Sequence, residues 1–338
     1  MDSITHIALG ACIGELFVGN KVGRKALFWG AVAQSFPDID FITAFWMNTT
    51  DELLAHRGFT HSLLFAALLT PILALLAERW HRPHNISLTK WIIFFGTEIL
   101  LHIFLDAFNA YGTAWFEPFS HIRFSFHTLF VAEPLFSIWV GAAFAVLIFT
   151  KKSQRKRKMW SIFGLGMCLF YLLVSVVNKI IVESAVKKAL ATQQIKYTRY
   201  FTTPTPLNSL LWFVVAENDS GFNIGYRSVF DRSPAIQFEY FPRNKTFTDS
   251  IQLSKDLLNL VRFSQGYYTI ERWTDTLVFN DLRFGQMIGW KDPKARFAFH
   301  YFLEYPDKND IVVQRGRFAN WDRSAVETLL KRIRGIER

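Results

Sequence analysis

Five short motifs carry ionisable residues that interrupt the apolar part of this chain. They are Thr5-His6, Phe36-Pro37-Asp38-Ile39-Asp40, His56-Arg57-Gly58-Phe59-Thr60-His61-Ser62, His102 with Asp106, and Glu133-Pro134-Leu135. Mixed imidazole and carboxylate donors are the set that zinc and other first-row divalent ions take. His102 and Asp106 are four apart, so on a helix they share a face. Pro37 disfavours helix at Phe36, so a local break can turn Asp38 and Asp40 inward. The candidate ligands are thus His6, Asp38, Asp40, His56, His61, His102, Asp106 and Glu133. They exceed one tetrahedral shell and lead us to expect two or three divalent ions, zinc first among them. Such a cluster activates a water and holds the oxygens of a phosphoester displacement.

Arg57 offers a fork of donors to a phosphate oxygen. We expect Arg57 and Asp106 to take part in catalysis, and Thr60 and Ser62 to orient ligands by hydrogen bonds rather than act as nucleophiles. Arg123 and His127 are candidates to support ligands or bind substrate. Each signal alone has a structural reading. His6 can be interfacial, Asp38 and Asp40 can cap a helix, His56 and His61 can be solvated, His102 and Asp106 can form a hydrogen-bonded pair or a proton relay, and Glu133 suits a first helical turn. His81, His84 and His300 read as structural.

The elements that must position these residues are apolar. Of 338 residues, 51% are hydrophobic and 20% charged, which excludes a disordered or coiled-coil chain. The apolar residues concentrate before residue 183. Leu63–Trp80 is a nearly uncharged run, about 27 Å as a helix, which matches a hydrocarbon core. Trp91–Tyr111, Leu129–Thr150 and Met159–Val182 are further runs, and Ile4–Val18 and Ala26–Trp46 are weaker ones. We therefore expect an α-helical membrane bundle of about six embedded helices over 1–182, followed by a soluble α+β domain over 183–338. The N-terminus does not read as a secretory signal peptide.

Basic residues set the expected orientation. Twelve of the 38 Lys and Arg lie in three loops, at 21–25, 79–90 and 151–158, whereas the loops 47–62 and 112–128 hold only Arg57 and Arg123. The positive-inside rule places the basic loops in the cytoplasm and residues after 182 outside. The five motifs then converge on the outer face, although the orientation used Lys and Arg alone. The net charge of +10 follows from topology and anionic lipid, not nucleic acid.

Beyond residue 182, alternation in Ser209–Glu217, Gly221–Phe230 and Arg296–Tyr305 predicts half-buried strands, separated by Pro204, Pro206, Asn218–Gly221 and Pro306–Asn309. Asp249 and Gln252 open an amphipathic stretch to about Phe263, and Ser324 with Glu327 has capping-box spacing. Cys12 and Cys168 cannot make a disulfide framework. Mean hydropathy is only +0.15, as a membrane part joined to a soluble part requires.

The ordered motifs Thr5-His6, Pro37-Asp38-Ile39-Asp40, His56-Arg57-Gly58 through Thr60-His61-Ser62, and His102 to Asp106 resemble one family, the YdjM-like, LexA-binding, inner-membrane-associated metal-dependent hydrolases. The likeness covers about the first 140 residues. Phe130–Phe136 resembles the family's later segment, where Asp is expected before Pro-Leu and Glu133 keeps a carboxylate instead. Pro204–Asn208 followed by Leu211-Trp212 resembles the long bacterial members. The resemblance implies a bacterial inner-membrane protein with a hydrolase-type metal site. A more distant similarity, carried by His102 and Asp106, is to zinc-dependent phospholipase C and P1-type nucleases. It implies phosphoester hydrolysis at a three-metal site, although their N-terminal amine ligand has no evident counterpart in this sequence.

The expected activity is metal-dependent hydrolysis of a phosphoester, in a lipid or lipid-linked substrate, at the outer face of the inner membrane. The rivals are a metal-stabilised scaffold for envelope assembly, and an ion-coupled transporter using Glu98, His102 and Asp106.

Overall fold

A computed structural model describes residues 1–150, 154–244, 254–274, 276–303 and 321–336. The chain divides into two compact units, Met1–Phe45 with Ala55–Val174, and Trp46–Leu54 with Ser175–Arg338.

The first unit is helical. Ser3–Val22 (α1) starts at Asp2, whose carboxylate accepts the Thr5 N–H at 2.9 Å, and stops at Gly23, where φ is +61°. Lys25–Ser35 (α2) runs antiparallel to it across a short turn. Gly10 and Gly14 of α1 face Gly30 and Ala26 of α2 so closely that a Cβ on Gly30 would stand 1.9 Å from the Gly10 carbonyl oxygen. Small residues four apart allow this backbone contact, as in membrane helix pairs. Pro37 has no N–H for the next helical bond, and the chain tightens into 3-10 turns over Pro37–Phe45.

Thr49–Ala55 (α3) follows. A single 3-10 turn, Phe59–His61, then leads to Leu63–His81 (α4), capped by Ser62, whose hydroxyl accepts the Phe65 N–H at 3.0 Å. Leu88–Asp106 (α5) is capped by Ser87, and Pro134–Phe149 (α6) opens with proline at its first position. Gln154–Thr192 (α7) is the longest helix. Trp91, Phe94, Phe95 and Ile99 of α5 are fully buried against Trp29, Ala33, Leu69 and Leu73.

Three helices, α4, α5 and α7, have the length and composition to cross a membrane, and α6 is a shorter apolar helix. Of the six embedded helices expected, three thus have the length and composition of a span among the described residues. The run Ala26–Trp46 breaks at Ser35, which leaves α2 with 11 residues, about 16 Å, too short to span. α1 carries Glu15 and Lys21 inside its apolar pattern. Arg157 also departs from the reading as a basic loop residue. It is buried in α7, with Nε donating to Glu15 Oε1 at 2.8 Å and Nη1 to the Leu147 and Thr150 carbonyls at 2.7 and 2.9 Å. Lys151 and Lys152 lie outside the described residues.

The second unit holds two antiparallel sheets. Arg199–Pro204 (β1), Leu211–Glu217 (β2), Gly221–Ser228 (β3) and Phe238–Pro242 (β4) pair in sequence order. Tyr268–Trp273 (β5), Thr276–Gln286 (β6) and Phe297–Phe302 (β7) form the other sheet, with a register shift in β6 between Asp281 and Gln286. Every residue of β2 is buried, not alternate ones as its pattern predicts. Trp212, Val214 and Ala216 pack on Val182, Val186, Ala189 and Leu190 of α7, while Phe213 and Val215 meet Phe222, Tyr267, Leu282 and Phe297. Both faces are covered, so alternation does not mark a solvent side.

Lys255–Phe263 (α8) is capped by Ser254, and Arg323–Ile333 (α9) by Asp322, which accepts the Ala325 N–H at 2.6 Å. Ser324 is thus inside the helix rather than its cap, and its hydroxyl donates to Asp322. Asp249, Gln252 and Pro306–Asn309 lie outside the described residues.

Candidate metal centre

The site begins with the close contact of α1 and α2. One turn from Gly10 is His6, and one turn from Gly30 is Gln34, so the glycine contact sets His6 Nδ1 3.0 Å from Gln34 Oε1. Gln34 also presents its main-chain carbonyl to His102 Nδ1 at 2.5 Å, while its side-chain amide donates to the Glu98 carbonyl at 2.8 Å. A proton on His102 Nδ1 is thereby held in place, which leaves Nε2 as the ring's lone-pair donor. His61 is treated alike. Its Nδ1 lies 3.1 Å from Thr60 Oγ1 and 3.4 Å from Asp40 Oδ2, so its Nε2 is also free to accept.

The two Nε2 atoms point at each other, 3.2 Å apart. His61 Nε2 is 3.6 Å from Asp38 Oδ1 and 3.4 Å from Asp106 Oδ2, and His102 Nε2 is 3.5 and 3.7 Å from the same oxygens. All four donors lie within 4.8 Å of one another. Donors about 2.1 Å from a central ion stand about 3.4 Å apart in a regular tetrahedron. The five separations of 3.2–3.7 Å that involve the two imidazoles therefore suit one divalent ion that Asp38, His61, His102 and Asp106 could hold. His61, His102 and Asp106 are inaccessible, and Asp38 is 18% exposed, so the centre faces outward on the Asp38 side.

Asp40, expected as a ligand, engages its oxygens elsewhere. Oδ1 meets His56 Nδ1 at 3.2 Å, and Oδ2 accepts the Arg57 N–H at 2.7 Å and the Thr60 hydroxyl at 3.2 Å. It orients His61 from outside the four-donor group, and His56 in turn braces Asp40. His6 stacks on His102 with centroids 3.9 Å apart, and its Nε2 is 3.1 Å from Asp106 Oδ1. Among the described residues one compact group of donors could hold a metal ion, and Asp40 and His56, expected as ligands, pair with each other instead.

Arg57 sits at φ +57°, a conformation costing roughly 1–2 kcal/mol outside glycine. That turn lets its N–H meet Asp40 while its side chain goes inward. Nε is 3.0 Å from Asp106 Oδ2, and Nη1 donates to Asn109 Oδ1 at 2.8 Å. The guanidinium is buried on Asp106 instead of projecting as an outward fork. Ser62 is the cap of α4. Arg123 Nη2 donates to the His56 carbonyl at 2.7 Å and tethers the loop carrying the histidines. His127, at φ +47°, is mostly buried. Glu133 is buried at the start of α6 and stands apart from the four-donor group.

Gln34 and Asn109 contact the candidate site and were missed by motif reading. A buried amide facing an imidazole has no spacing signature, since its partner is 28 residues away. The Met1 main-chain nitrogen also contacts Asp106 Oδ1.

Charge supports the assignment. Burial would raise Asp40, but hydrogen bonds from His56 and His61 outweigh it and hold its carboxyl below the usual range. Asp38 is likewise held low against burial, by His102 and His61. Burial would lower His61, yet the carboxylates of Asp106, Asp38 and Asp40 push it up to about 10. A concentration of negative charge that strong around one imidazole is what a divalent cation neutralises.

A family model described as YdjM inner membrane protein matches residues 1–182. The inner membrane protein YbcI of Escherichia coli (strain K12) is 34% identical over 124 residues, covering 36% of this chain and 69% of YbcI. The uncharacterized protein YfhP of Bacillus subtilis (strain 168) is 29% identical over 156 residues, covering 43% of this chain and 46% of YfhP. No solved structure matches.

Proposed function

Because the chain belongs to the YdjM inner membrane protein family, we propose that it is a metal-dependent hydrolase of the inner membrane, acting on phosphoesters at a zinc site made by Asp38, His61, His102 and Asp106. The observation that carries this reading is the pair of facing Nε2 atoms, 3.2 Å apart, each freed by an acceptor on the other ring nitrogen. A divalent ion held there supplies the Lewis acidity that makes water nucleophilic near neutral pH and polarises a phosphoryl oxygen.

The chain's own residues do the rest. Asp40 and the Gln34 carbonyl hold the two imidazoles in their ligating tautomer. Arg57 offsets the charge of Asp106 and keeps it directed at the histidines. Asp38, on the exposed side, is the donor best placed to yield room to substrate. The distribution of Lys and Arg supports the basic loops as cytoplasmic and the second unit as extracytoplasmic, a topology in which the shorter apolar helix α6 crosses together with α4, α5 and α7.

One observation favours a second reading. Four protein donors complete a tetrahedral shell, as structural zinc sites do. The ion would then stabilise a membrane scaffold without turnover. Purified protein should contain about one equivalent of metal, lost in His61→Ala and Asp106→Ala. Hydrolysis of a chromogenic phosphodiester that disappears with the metal supports the enzyme. Stoichiometric metal with no hydrolysis across phosphodiesters and phospholipids supports the scaffold, and metal-free protein that behaves like both variants refutes the site.

A further inference from the structure

Trp46–Leu54 belongs to the second unit, although the residues on either side of it belong to the first. The chain thus enters the second unit after Phe45 and leaves it before Ala55. Asp38 and Asp40 stand on the incoming leg of this excursion, and His56, Arg57 and His61 on the outgoing one. Within the second unit, α3 is held by α8. The buried Thr50 hydroxyl donates to Asp256 Oδ1 at 2.5 Å and accepts from Asn259 Nδ2 at 3.2 Å. The same amide donates to Asp51 Oδ1 at 2.9 Å, and Lys255 Nζ meets Asp51 Oδ2 at 2.6 Å. The ion pair is exposed at Lys255 and contributes little. The Thr50–Asp256 bond joins a buried donor to an ionised acceptor, which makes it the stronger hold.

Both legs are built from hydrogen-bonded turns. Pro37–Phe45 is 3-10 helix, and the Thr43 hydroxyl donates to the Asp40 carbonyl at 2.7 Å. Asn48 Oδ1 then accepts the Asp51 N–H at 2.8 Å and caps α3. On the outgoing leg the Gly58 N–H donates to the Ala55 carbonyl at 2.8 Å and the His61 N–H to the Gly58 carbonyl at 3.0 Å, directly before α4. Asp40 ties the legs to each other through His56 Nδ1 and the Arg57 N–H. Few free torsions separate α3 from the donors, so a shift of α3 carries to Asp38 and His61 instead of being absorbed on the way.

We propose that the second unit positions the metal centre through its grip on this loop, with Asp256 and Asn259 of α8 as positioning residues that act through Thr50 and Asp51 on His61 and Asp38. The effect on metal rests on the metal-centre reading, and the grip rests on the α3–α8 bonds alone. None of the four donors comes from Ser175–Arg338, so the second unit acts on the centre by position and not by ligation. The coupling is reciprocal: a metal that fixes Asp38 and His61 also favours the ordered, α8-bound state of α3.

The test uses the full chain in detergent, with zinc affinity read by chelator competition and amide hydrogen exchange read by mass spectrometry. Asp256→Ala combined with Asn259→Ala should weaken zinc binding by about tenfold, as the loss of groups that orient ligands does. It should also speed exchange in residues 56–62 as well as in 46–54. Unchanged exchange across β2 shows that the second unit is still folded. Thr50→Val keeps the side chain's shape, removes both of its bonds to α8 and leaves α8 itself unaltered, so it should give the same two effects. Asp256→Asn keeps an oxygen for the Thr50 hydroxyl and should retain wild-type affinity and exchange. Leu258→Ala, on the exposed face of α8, should match wild type. Faster exchange confined to 46–54 with unchanged zinc affinity overturns the proposal, as does no change in either segment. Wild-type protein that binds no zinc refutes the metal centre, and exchange in 56–62 then decides the grip by itself.

Discussion

His61 Nε2 and His102 Nε2 face each other at 3.2 Å although both other ring nitrogens are already given to acceptors. In neutral rings this sets two lone pairs head to head, an arrangement favoured only by a cation or proton between them. Substituting either histidine by alanine should remove bound metal. Asp40→Asn should retain it with about 10–100-fold weaker affinity, because Asp40 only orients His61. Elemental analysis after dialysis against graded chelator reads both outcomes.

Metal and proton compete at His61. Its pKa near 10 lies above the ordinary value, so a protonated His61 stabilises the metal-free fold fully below about pH 6.5, and that contribution is lost as pH rises through about 10. Metal binding must expel this proton. Affinity should therefore rise with pH across the neutral range, by about one decade per unit, and flatten near 10. Titration calorimetry in buffers of different ionisation enthalpy measures the proton released, and a pH-independent affinity would contradict the assignment.

Burial pushes the Glu133 carboxyl up to about 7 from an ordinary 4.5, despite opposing hydrogen bonds from Tyr171 and the Leu135 backbone. Its raised value penalises the fold increasingly from about pH 4.5 to 7 and by a constant amount above. Glu133→Gln should match wild type at pH 4 and gain stability toward pH 8, by up to about 3 kcal/mol. Melting in detergent at both pH values checks the sign. Loss of metal in the same variant would instead make Glu133 a ligand.

Arg157 is the buried cation that joins α1, α6 and α7 through Glu15 and the carbonyls of Leu147 and Thr150. Arg157→Ala leaves Glu15 without its partner and should cost about 3–5 kcal/mol. The double change Arg157→Leu with Glu15→Leu should recover much of that loss. Thermal unfolding of the purified variants distinguishes a clamp from a surface charge, for which both changes would be nearly neutral.

Gly30 has no room for a side chain against Gly10. Gly30→Val should force α2 from α1 and carry the Gln34 carbonyl away from His102. Metal affinity should then fall by at least about tenfold although no ligand is altered. Unchanged metal affinity in folded protein would show that the glycine contact does not set the site.

Local order in the chain was enough for several features. The period and purity of the apolar runs marked α4, α5 and α7. The four-residue spacing of His102 and Asp106 placed both on one face of α5, and the turn residues around 218–221 located the β2–β3 hairpin. The donor types alone indicated a divalent ion. Tertiary structure decided which donors come close enough to share one. Asp38 and Asp40 are two residues apart and chemically identical, yet one faces His102 and the other is drawn to His56, Arg57 and Thr60. That choice depends on where distant elements put their hydrogen-bonding groups, as does the orientation of His102 by a carbonyl 68 residues earlier. Likewise, the strand β2 is buried on both faces because α7 covers one side and the second sheet's residues help cover the other. Spacing along a chain fixes angles around one helix or strand, whereas ligation and two-sided burial depend on distances between elements, and these exist only once the elements have packed.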